Sequence, residues 1–235
     1  MITGEQLLEV FTAYNLQIWP MQYVAYLLGV TVVYFAIRKT AFSARGIPAI
    51  LAFFWLWVAL LFWLPSVLKG FAPGVFFVAI FLIQGVLLVL QAIKPRLYFE
   101  ASPGIITWVG WGVVLYASAG YPLVGALVGH IYPRMLPFGL TPCPMVTLTF
   151  GLLLWTRPKV PKALLVIPGL YALSGVIWIS IGMWEDIGMM LSGILGMVLL
   201  WLRDAKSPAA QVERIKPGPM GGGWSLDLPD KKSAP

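Results

Sequence analysis

Long apolar runs separated by short charged breaks dominate this sequence, and they leave few folds open to it. Stretches such as VALLFWLPSVL and GVLLVLQAI are apolar without any alternation. Runs of about twenty such residues, at about 1.5 Å per residue, are long enough as helices to cross a hydrocarbon core about 30 Å thick. Strands of a membrane barrel would alternate in polarity over about ten residues. The sequence therefore predicts an all-α integral membrane protein.

Composition supports the same class. Of the 235 residues, 60% are hydrophobic and 11% are charged. A soluble domain needs more polar surface than this composition supplies. The predicted partner is the lipid bilayer, in which backbone polar groups must be paired inside helices.

The runs predict a bundle of about seven transmembrane helices, at residues 18–37, 47–64, 71–93, 105–121, 138–155, 164–183 and 186–202. The fourth and fifth spans are the least distinct. The apolar character continues past Pro122, which lacks a backbone donor, so a kink or break is expected near Ser118. A count of six spans remains open if one of these two runs only dips into the bilayer.

The Lys and Arg residues of the loops predict the orientation, because cytoplasmic loops carry the excess of positive charge. All of them except Lys69 and Arg134 fall in the breaks after spans one, three and five or in the stretch after span seven. The amino terminus is thus predicted outside and the carboxyl terminus in the cytoplasm. Because topology accounts for the net charge of +7, no nucleic-acid partner is predicted.

The two ends of the chain differ from the transmembrane domain, residues 18–203. Residues 1–17 predict an external amphipathic helix, in which Thr3 and Gln6 have capping-box spacing and apolar residues recur along one face. Such a helix either anchors on the membrane surface or folds over the outer mouth of the bundle. Residues 204–235 are rich in Pro, Gly, Ser and Lys and predict a disordered cytoplasmic tail.

One irregular stretch, GHIYPRMLPFGLTPCPM at residues 129–145, holds the only histidine, His130, and the only cysteine, Cys143. Counting helical rise back from Trp155, an expected inner-interface anchor, places Cys143 about 18 Å higher in a core of about 30 Å. Irregular backbone at that depth is tolerated only where it is buried in protein or lines a wet cavity. The stretch therefore predicts a polar pocket that opens to the outside.

Polar side chains from other segments are expected at the same level. Glu185 and Asp186 form the outer turn before the last span. Together with His130 and Cys143, these carboxylates have the donor types that bind a soft or borderline metal ion. The structural alternatives are an N-cap role for Asp186 and a bond from His130 to a loop carbonyl. The further pocket candidates are Asn15, Gln17, Tyr132 and Arg134. No resident cofactor is predicted.

Two residue patterns concern helix packing. Gly188, Ser192 and Gly196 are spaced four apart, which predicts close helix packing, with a homodimer face as the alternative. Gln84 and Gln91 share one helix face. They are expected to bond neighbouring helices, although a polar translocation path would look similar.

Recognisable catalytic motifs are absent from the sequence. It contains no HExxH, GxSxG, Walker A or dinucleotide-binding pattern. An enzyme would depend on one histidine and one thiol without a recognisable base partner. The chain is therefore not expected to be an enzyme.

The segments EQLLEVFTAYNLQIWP and GHIYPRMLPFGLTPCPMVTLTFGLLL resemble an uncharacterised bacterial family of multi-pass membrane proteins, described only as a domain of unknown function. The YN, IWP, GH, YP, FGL and TPCP elements carry the likeness, which covers residues 1–203. Met145 and Val146 stand where the family pattern has threonines, so no hydroxyl groups are expected in a site there. The resemblance implies a location in the bacterial inner membrane and brings no activity or site residues.

Two functions fit these features. The first is a small transporter for a solute or metal ion, with the histidine, the thiol and the two carboxylates at its outer mouth. It requires a continuous polar path to the cytoplasm. The second is a non-enzymatic membrane subunit or sensor that packs onto a partner protein, with a pocket closed below or none at all.

Overall fold

The computed structural model of the protein describes residues 3–38 and 42–206. The helices in these ranges are α1 (Gly4–Gln17), α2 (Met21–Arg38), α3 (Ser43–Leu68), α4 (Gly74–Ile93), α5 (Ile105–Leu127), α6 (Pro142–Leu153), α7 (Lys162–Ser180) and α8 (Asp186–Lys206). Two short strands, β1 (Tyr98–Phe99) and β2 (Thr156–Arg157), pair in antiparallel register. Of the predicted tail, residues 204–206 continue α8, and the remainder lies outside the described residues.

Six helices in the described ranges are long and apolar enough to cross a membrane, namely α2, α3, α4, α5, α7 and α8. The fifth predicted span corresponds to α6, which has only 12 residues. That is about 18 Å of helix, too short to cross a core of about 30 Å by itself. The described chain thus has six helices of spanning length where the sequence predicts about seven.

Helix α6 is the centre of the packed core. All 12 of its residues are buried, and the burial continues without interruption over residues 136–156. Helices α3, α5, α7 and α8 all pack against it. The irregular backbone predicted before Pro142 is present and ends in this buried region, which agrees with the rule that such backbone at membrane depth must be enclosed by protein.

The predicted disturbance near Ser118 is present as a π-helical turn, Tyr116–Gly120, inside the continuous helix α5. Pro122 has no N–H to donate to the carbonyl of Ser118, four residues earlier. The hydroxyl of Tyr26 on α2 donates to that carbonyl instead, over 2.9 Å. A second π turn, Val58–Trp63, interrupts α3 shortly before Pro65.

The two buried glutamines pair backbone groups. The amide nitrogen of Gln84 donates to the carbonyl of Leu164 over 3.2 Å, and Pro168 leaves that carbonyl without its helical donor. Gln84 therefore bonds a neighbouring helix, as expected. With its amide oxygen turned toward the loop after α4, Gln91 accepts from the N–H of Arg96 over 2.7 Å. Gln91 therefore bonds the loop that follows its own helix rather than a neighbouring helix.

The small residues of α8 pack inside the bundle. A side chain on Gly188 would collide with the ring of Tyr116, and one on Gly196 would meet Phe150 at 2.6 Å. Ser192 between them is buried. This stripe is used for close packing within one chain, which confirms that interpretation of its spacing.

Apart from Lys69 and Arg134, the basic residues of the described loops lie at the end of the bundle that carries the paired strands. There Arg203 donates to the carbonyl of Thr156 over 2.7 Å, beside β1 and β2. The two exceptions, Lys69 and Arg134, lie at the opposite end with α1, where Arg134 pairs with Glu5 over 2.7 Å. Most of the positive charge of the described bundle therefore lies at the end that carries the strands.

Candidate functional site

Helix α1 covers the end of the bundle opposite the strands. The predicted capping box is present, because Thr3 and Gln6 each accept from the backbone N–H of the other. The hydroxyl of Tyr14 accepts from the indole of Trp57 over 2.8 Å and donates to the carbonyl of Leu140 over 2.6 Å. Burial raises the pKa of the Tyr14 phenol well above its usual value, so the hydroxyl remains a donor.

Two of the predicted pocket residues hold the loop before α6 against α1. The amide of Asn15 is fully buried and donates to the carbonyls of Pro133 and Met135 over 2.6 and 2.7 Å. Arg134, between them, makes the exposed ion pair with Glu5. Asn15 and Arg134, both predicted to line a pocket, therefore hold the loop before α6 in place.

The buried carboxylate of Asp186 is the centre of a polar cluster beneath α1. One oxygen accepts from the hydroxyl of Tyr121 over 3.1 Å, and the other accepts from the thiol of Cys143 over 3.2 Å. The hydroxyl of Tyr171 lies 3.8 Å from the same sulfur. Asp186 is 1% exposed, and the groups around it are buried as well. The carboxylate thus joins α5, α6 and α8, and Tyr171 on α7 reaches the same cluster through the sulfur of Cys143.

The adjacent Glu185 faces His130. Nδ1 of His130 lies 2.9 Å from one carboxylate oxygen of Glu185, while the backbone of His130 is held by an N–H bond to the carbonyl of Gly125 over 2.7 Å. Tyr116 donates to the backbone carbonyl of Glu185 over 2.7 Å. The second carboxylate oxygen, Oε2, is buried and has no hydrogen-bond partner in the described part of the chain. The side chain of His130 therefore bonds a carboxylate and not a loop carbonyl, which was the structural alternative.

The four residues proposed as metal ligands form two pairs, His130 with Glu185 and Cys143 with Asp186. Within residues 3–38 and 42–206, no three His, Cys, Asp or Glu side chains are close enough together to hold a metal ion. Structural and catalytic zinc sites use at least three protein ligands. These four buried residues carry two carboxyl groups, one imidazole and one thiol, and we call them the acid cluster.

A small cavity of about 20 Å³ lies against this cluster. Cys143, Tyr171 and Asp186 contribute to its lining, and the surface that it exposes is almost entirely apolar. The other aromatic residues that line it are Phe11, Phe62, Trp63 and Trp178. A space of this volume accommodates a group about the size of one water molecule.

A large cavity of about 370 Å³ lies beside the small one, between α1 and the end of α3. Polar residues of α1 and Lys69 line it, together with apolar residues of α3. Four side chains line both cavities: Leu7, Phe62, Trp63 and Trp178. These four residues, which we call the partition, separate the large cavity from the acid cluster. Phe62 and Trp63 of the partition lie in the π turn of α3, a kind of distortion that is frequent at functional sites.

The remaining predicted pocket residues lie outside the cluster. Gln17 lines the large cavity, and Tyr132 is exposed with its ring next to Trp19. Sequence reasoning missed Tyr121 and Tyr171, whose hydroxyls meet the cluster. Aromatic residues of the spans are typical of an interfacial belt, and their spacing alone does not distinguish a hydroxyl that turns inward.

These observations define a class of protein: a helical bundle with six helices of membrane-spanning length in its described part, capped at one end by an amphipathic helix that covers a buried acid cluster. The chain belongs to the family of unknown function DUF6064, which matches residues 4–211. No curated protein and no solved structure matches the chain.

Proposed function

We propose that this protein is an integral membrane protein that binds a small molecule at the end of the bundle covered by α1, as a sensor or binding subunit. The observation that carries the proposal is the pair of adjacent cavities that share the partition. The large one, about 370 Å³, falls within the range of about 300–1,000 Å³ typical of ligand sites. Apolar walls with few polar groups are also typical of such sites.

The interior polar groups favour a binding protein over a transporter. Beyond Cys143 on α6, the hydroxyls of Thr147 and Thr149 each donate to a carbonyl of their own helix over 2.9 Å. The amide nitrogen of Gln84 pairs a carbonyl that a proline leaves free. These side chains donate to backbone carbonyls. A transported solute or metal ion would instead need polar side chains along a path from the α1 end to the end that carries the strands. Transport therefore has less support than binding.

The proposal places the α1 end outside the cell and the carboxyl terminus in the cytoplasm. The gathering of basic loops around β1 and β2 supports this orientation. The segment of residues 128–161 would make the seventh passage, as irregular backbone followed by the short helix α6, enclosed by protein. The inner membrane of a bacterium and a partner protein that receives the signal stay predictions.

The test uses the full-length protein in lipid nanodiscs and the neutral probe 2-phenylethanol, with empty nanodiscs to subtract partitioning into lipid. We expect saturable binding by equilibrium dialysis. Ala13→Trp adds a ring inside the large cavity and should abolish saturable binding, because Ala13 lines that cavity. Leu16→Trp on the exposed face of α1 is the matched control and should leave it unchanged. Equal behaviour of the two variants, or no saturable binding by the unchanged protein, would overturn the proposal.

A further inference from the structure

We infer that the ligand is a neutral carbonyl compound, whose oxygen accepts hydrogen bonds from the indole N–H groups of Trp63 and Trp178 while its apolar body occupies the large cavity. The inference rests on the proposed binding function and adds the chemical class of the ligand. It comes from three features of the site: the unpaired donors of the partition, the charges around it, and the volumes of the two cavities.

The unpaired donors are the first argument. Two partition residues carry a polar side-chain atom, Nε1 of Trp63 and Nε1 of Trp178, and both atoms are buried without a hydrogen-bond partner among the described residues. The two side chains are only 4% and 7% exposed. Buried donors in native proteins are nearly always paired. These two N–H groups therefore have capacity for an acceptor that the described part of the chain does not supply.

The two indoles are neighbours. Their ring centroids lie 6.4 Å apart, with the ring planes inclined by 36°. A carbonyl oxygen has two lone pairs and no hydrogen to donate, so it can satisfy two N–H groups, whereas an ammonium group has donors only. Both nitrogens are shielded inside the partition. The ligand oxygen therefore meets them when a partition ring turns toward the large cavity, which both indoles line.

Charge is the second argument, because it separates a neutral acceptor from an ion. The acid cluster, on the other side of the partition, contains two carboxyl groups, which disfavour an anion close to them. Both oxygens of Asp186 already accept hydrogen bonds, so a cation gains little from this carboxylate. The large cavity is lined by one side chain of each sign, Glu9 and Lys69. The site therefore favours a neutral ligand.

Size is the third argument. The large cavity of about 370 Å³ suits the body of a small ring compound. The small cavity of about 20 Å³ has an almost entirely apolar surface and suits one methyl-sized group beyond the carbonyl carbon. A methyl ketone with an aromatic body therefore matches the spaces on both sides of the partition.

Three probes of one shape separate the acceptor from the shape: 4-phenyl-2-butanone, the hydrocarbon 3-methylbutylbenzene, in which a methyl group replaces the oxygen, and the amine 4-phenyl-2-butylamine. Equilibrium dialysis uses the full-length protein in nanodiscs of neutral lipid, and each affinity is referred to partitioning into empty nanodiscs. On that scale the ketone should bind at least about fivefold more tightly than the hydrocarbon, as one buried hydrogen bond implies. The amine should bind most weakly. Equal affinity for ketone and hydrocarbon, or tightest binding of the amine, would overturn the inference.

Infrared spectroscopy observes the hydrogen bond itself. A donor at the oxygen weakens the C=O bond, so the stretching band of isotope-labelled 4-phenyl-2-butanone should lie at lower frequency when bound than in dry hexane. Excess 2-phenylethanol, which competes for the large cavity, should remove the bound band. A bound ketone with the frequency seen in hexane would show that no donor reaches its oxygen.

Variants locate the donors. Trp63→Phe and Trp178→Phe each keep a ring in the partition and remove one N–H. Each should lower the ketone-to-hydrocarbon preference, and the double variant should reduce it to about one while hydrocarbon binding persists. Trp108→Phe, on the exposed face of α5 and away from both cavities, is the matched control and should keep the preference. An intact preference in the double variant would refute the assignment.

The same measurements separate this inference from the proposed function. If ketone and hydrocarbon bind with equal affinity and Ala13→Trp blocks both, binding at the large cavity stands and only the carbonyl assignment falls. If none of the probes binds saturably, both fall.

Discussion

The thiol of Cys143 donates a hydrogen bond to Oδ2 of Asp186 over 3.2 Å, and this contact joins the first turn of α6 to the first residue of α8. The other oxygen of Asp186 is bonded by Tyr121 on α5. The carboxylate therefore links three helices at the buried end of the small cavity. Its hydrogen bonds hold the site together in addition to any role in binding.

The thiol contact predicts a difference between two substitutions of Cys143. Cys143→Ala leaves Oδ2 of the buried carboxylate without this donor, so the free energy of unfolding should fall by about 1–3 kcal/mol. Cys143→Ser keeps a donor at nearly the same place and should cost less. Reversible unfolding in mixed detergent micelles measures both values. A serine variant that is less stable than the alanine variant would contradict the assigned bond.

The partition predicts how fast Cys143 reacts with a maleimide. The side chain is only 5% exposed and faces the small cavity, so labelling of the folded protein should be slow. Trp63→Ala removes one wall between the two cavities and should raise the rate by about tenfold, since access controls the reaction. Leu60→Ala, on the exposed side of the same helix, is the control and should have no effect. Fast labelling of the unchanged protein would show that the thiol is open to solvent.

The bond between Gln84 and the Leu164 carbonyl predicts coupling with Pro168. Gln84→Leu should lower stability by about 1 kcal/mol, because the carbonyl that the proline frees loses its donor. In a Pro168→Ala background the helix supplies its own N–H, so the same substitution should cost about 0.5–1 kcal/mol less. A double-mutant cycle on detergent unfolding gives the coupling. Strictly additive effects would mean that Gln84 does not replace the missing donor.

The close contact of Gly188 with Tyr116 predicts that even one methyl group is not tolerated there. A Cβ on Gly188 would lie 1.9 Å from the tyrosine ring, so Gly188→Ala should destabilise the protein by about 1–3 kcal/mol. It should also displace the Tyr116 hydroxyl from the carbonyl of Glu185. Gly112→Ala on α5, where a Cβ meets no atom within 4 Å, is the matched control and should be neutral or stabilising. Thermal unfolding of both variants provides the comparison.

Local features of the fold were predictable because they depend on neighbours in the sequence. The capping box of α1 and the distortion near Ser118 follow from residues within one or two turns. The length of α6 was not predictable in the same way. Residues 138–155 are as apolar as a lipid-facing span, and apolarity does not distinguish burial in lipid from burial in protein.

The residues of the candidate site were predictable from the sequence, but their contacts were not. His130, Cys143, Glu185 and Asp186 were identifiable as candidates because ionisable groups are rare in so apolar a chain. Their pairing could not be predicted, because His130 and Glu185 are 55 positions apart. They meet only when the loop before α6 packs against the turn that precedes α8. The tyrosines around Asp186 were missed for a related reason. Nothing local to Tyr121 or Tyr171 indicates which way its hydroxyl points.

The amino-acid sequence predicts that this chain forms apolar helices, which of its few polar residues are site candidates, and that its basic loops divide between two ends. Packing of the chain encloses α6 with other helices, brings the polar residues into a buried acid cluster, and places aromatic side chains from α3 and α7 between that cluster and a larger cavity. These two sets of features differ in the sequence separation of the residues on which they depend. Helix formation and apolarity depend on residues a few positions apart, whereas cavities and buried hydrogen bonds depend on side chains brought together from distant segments by packing.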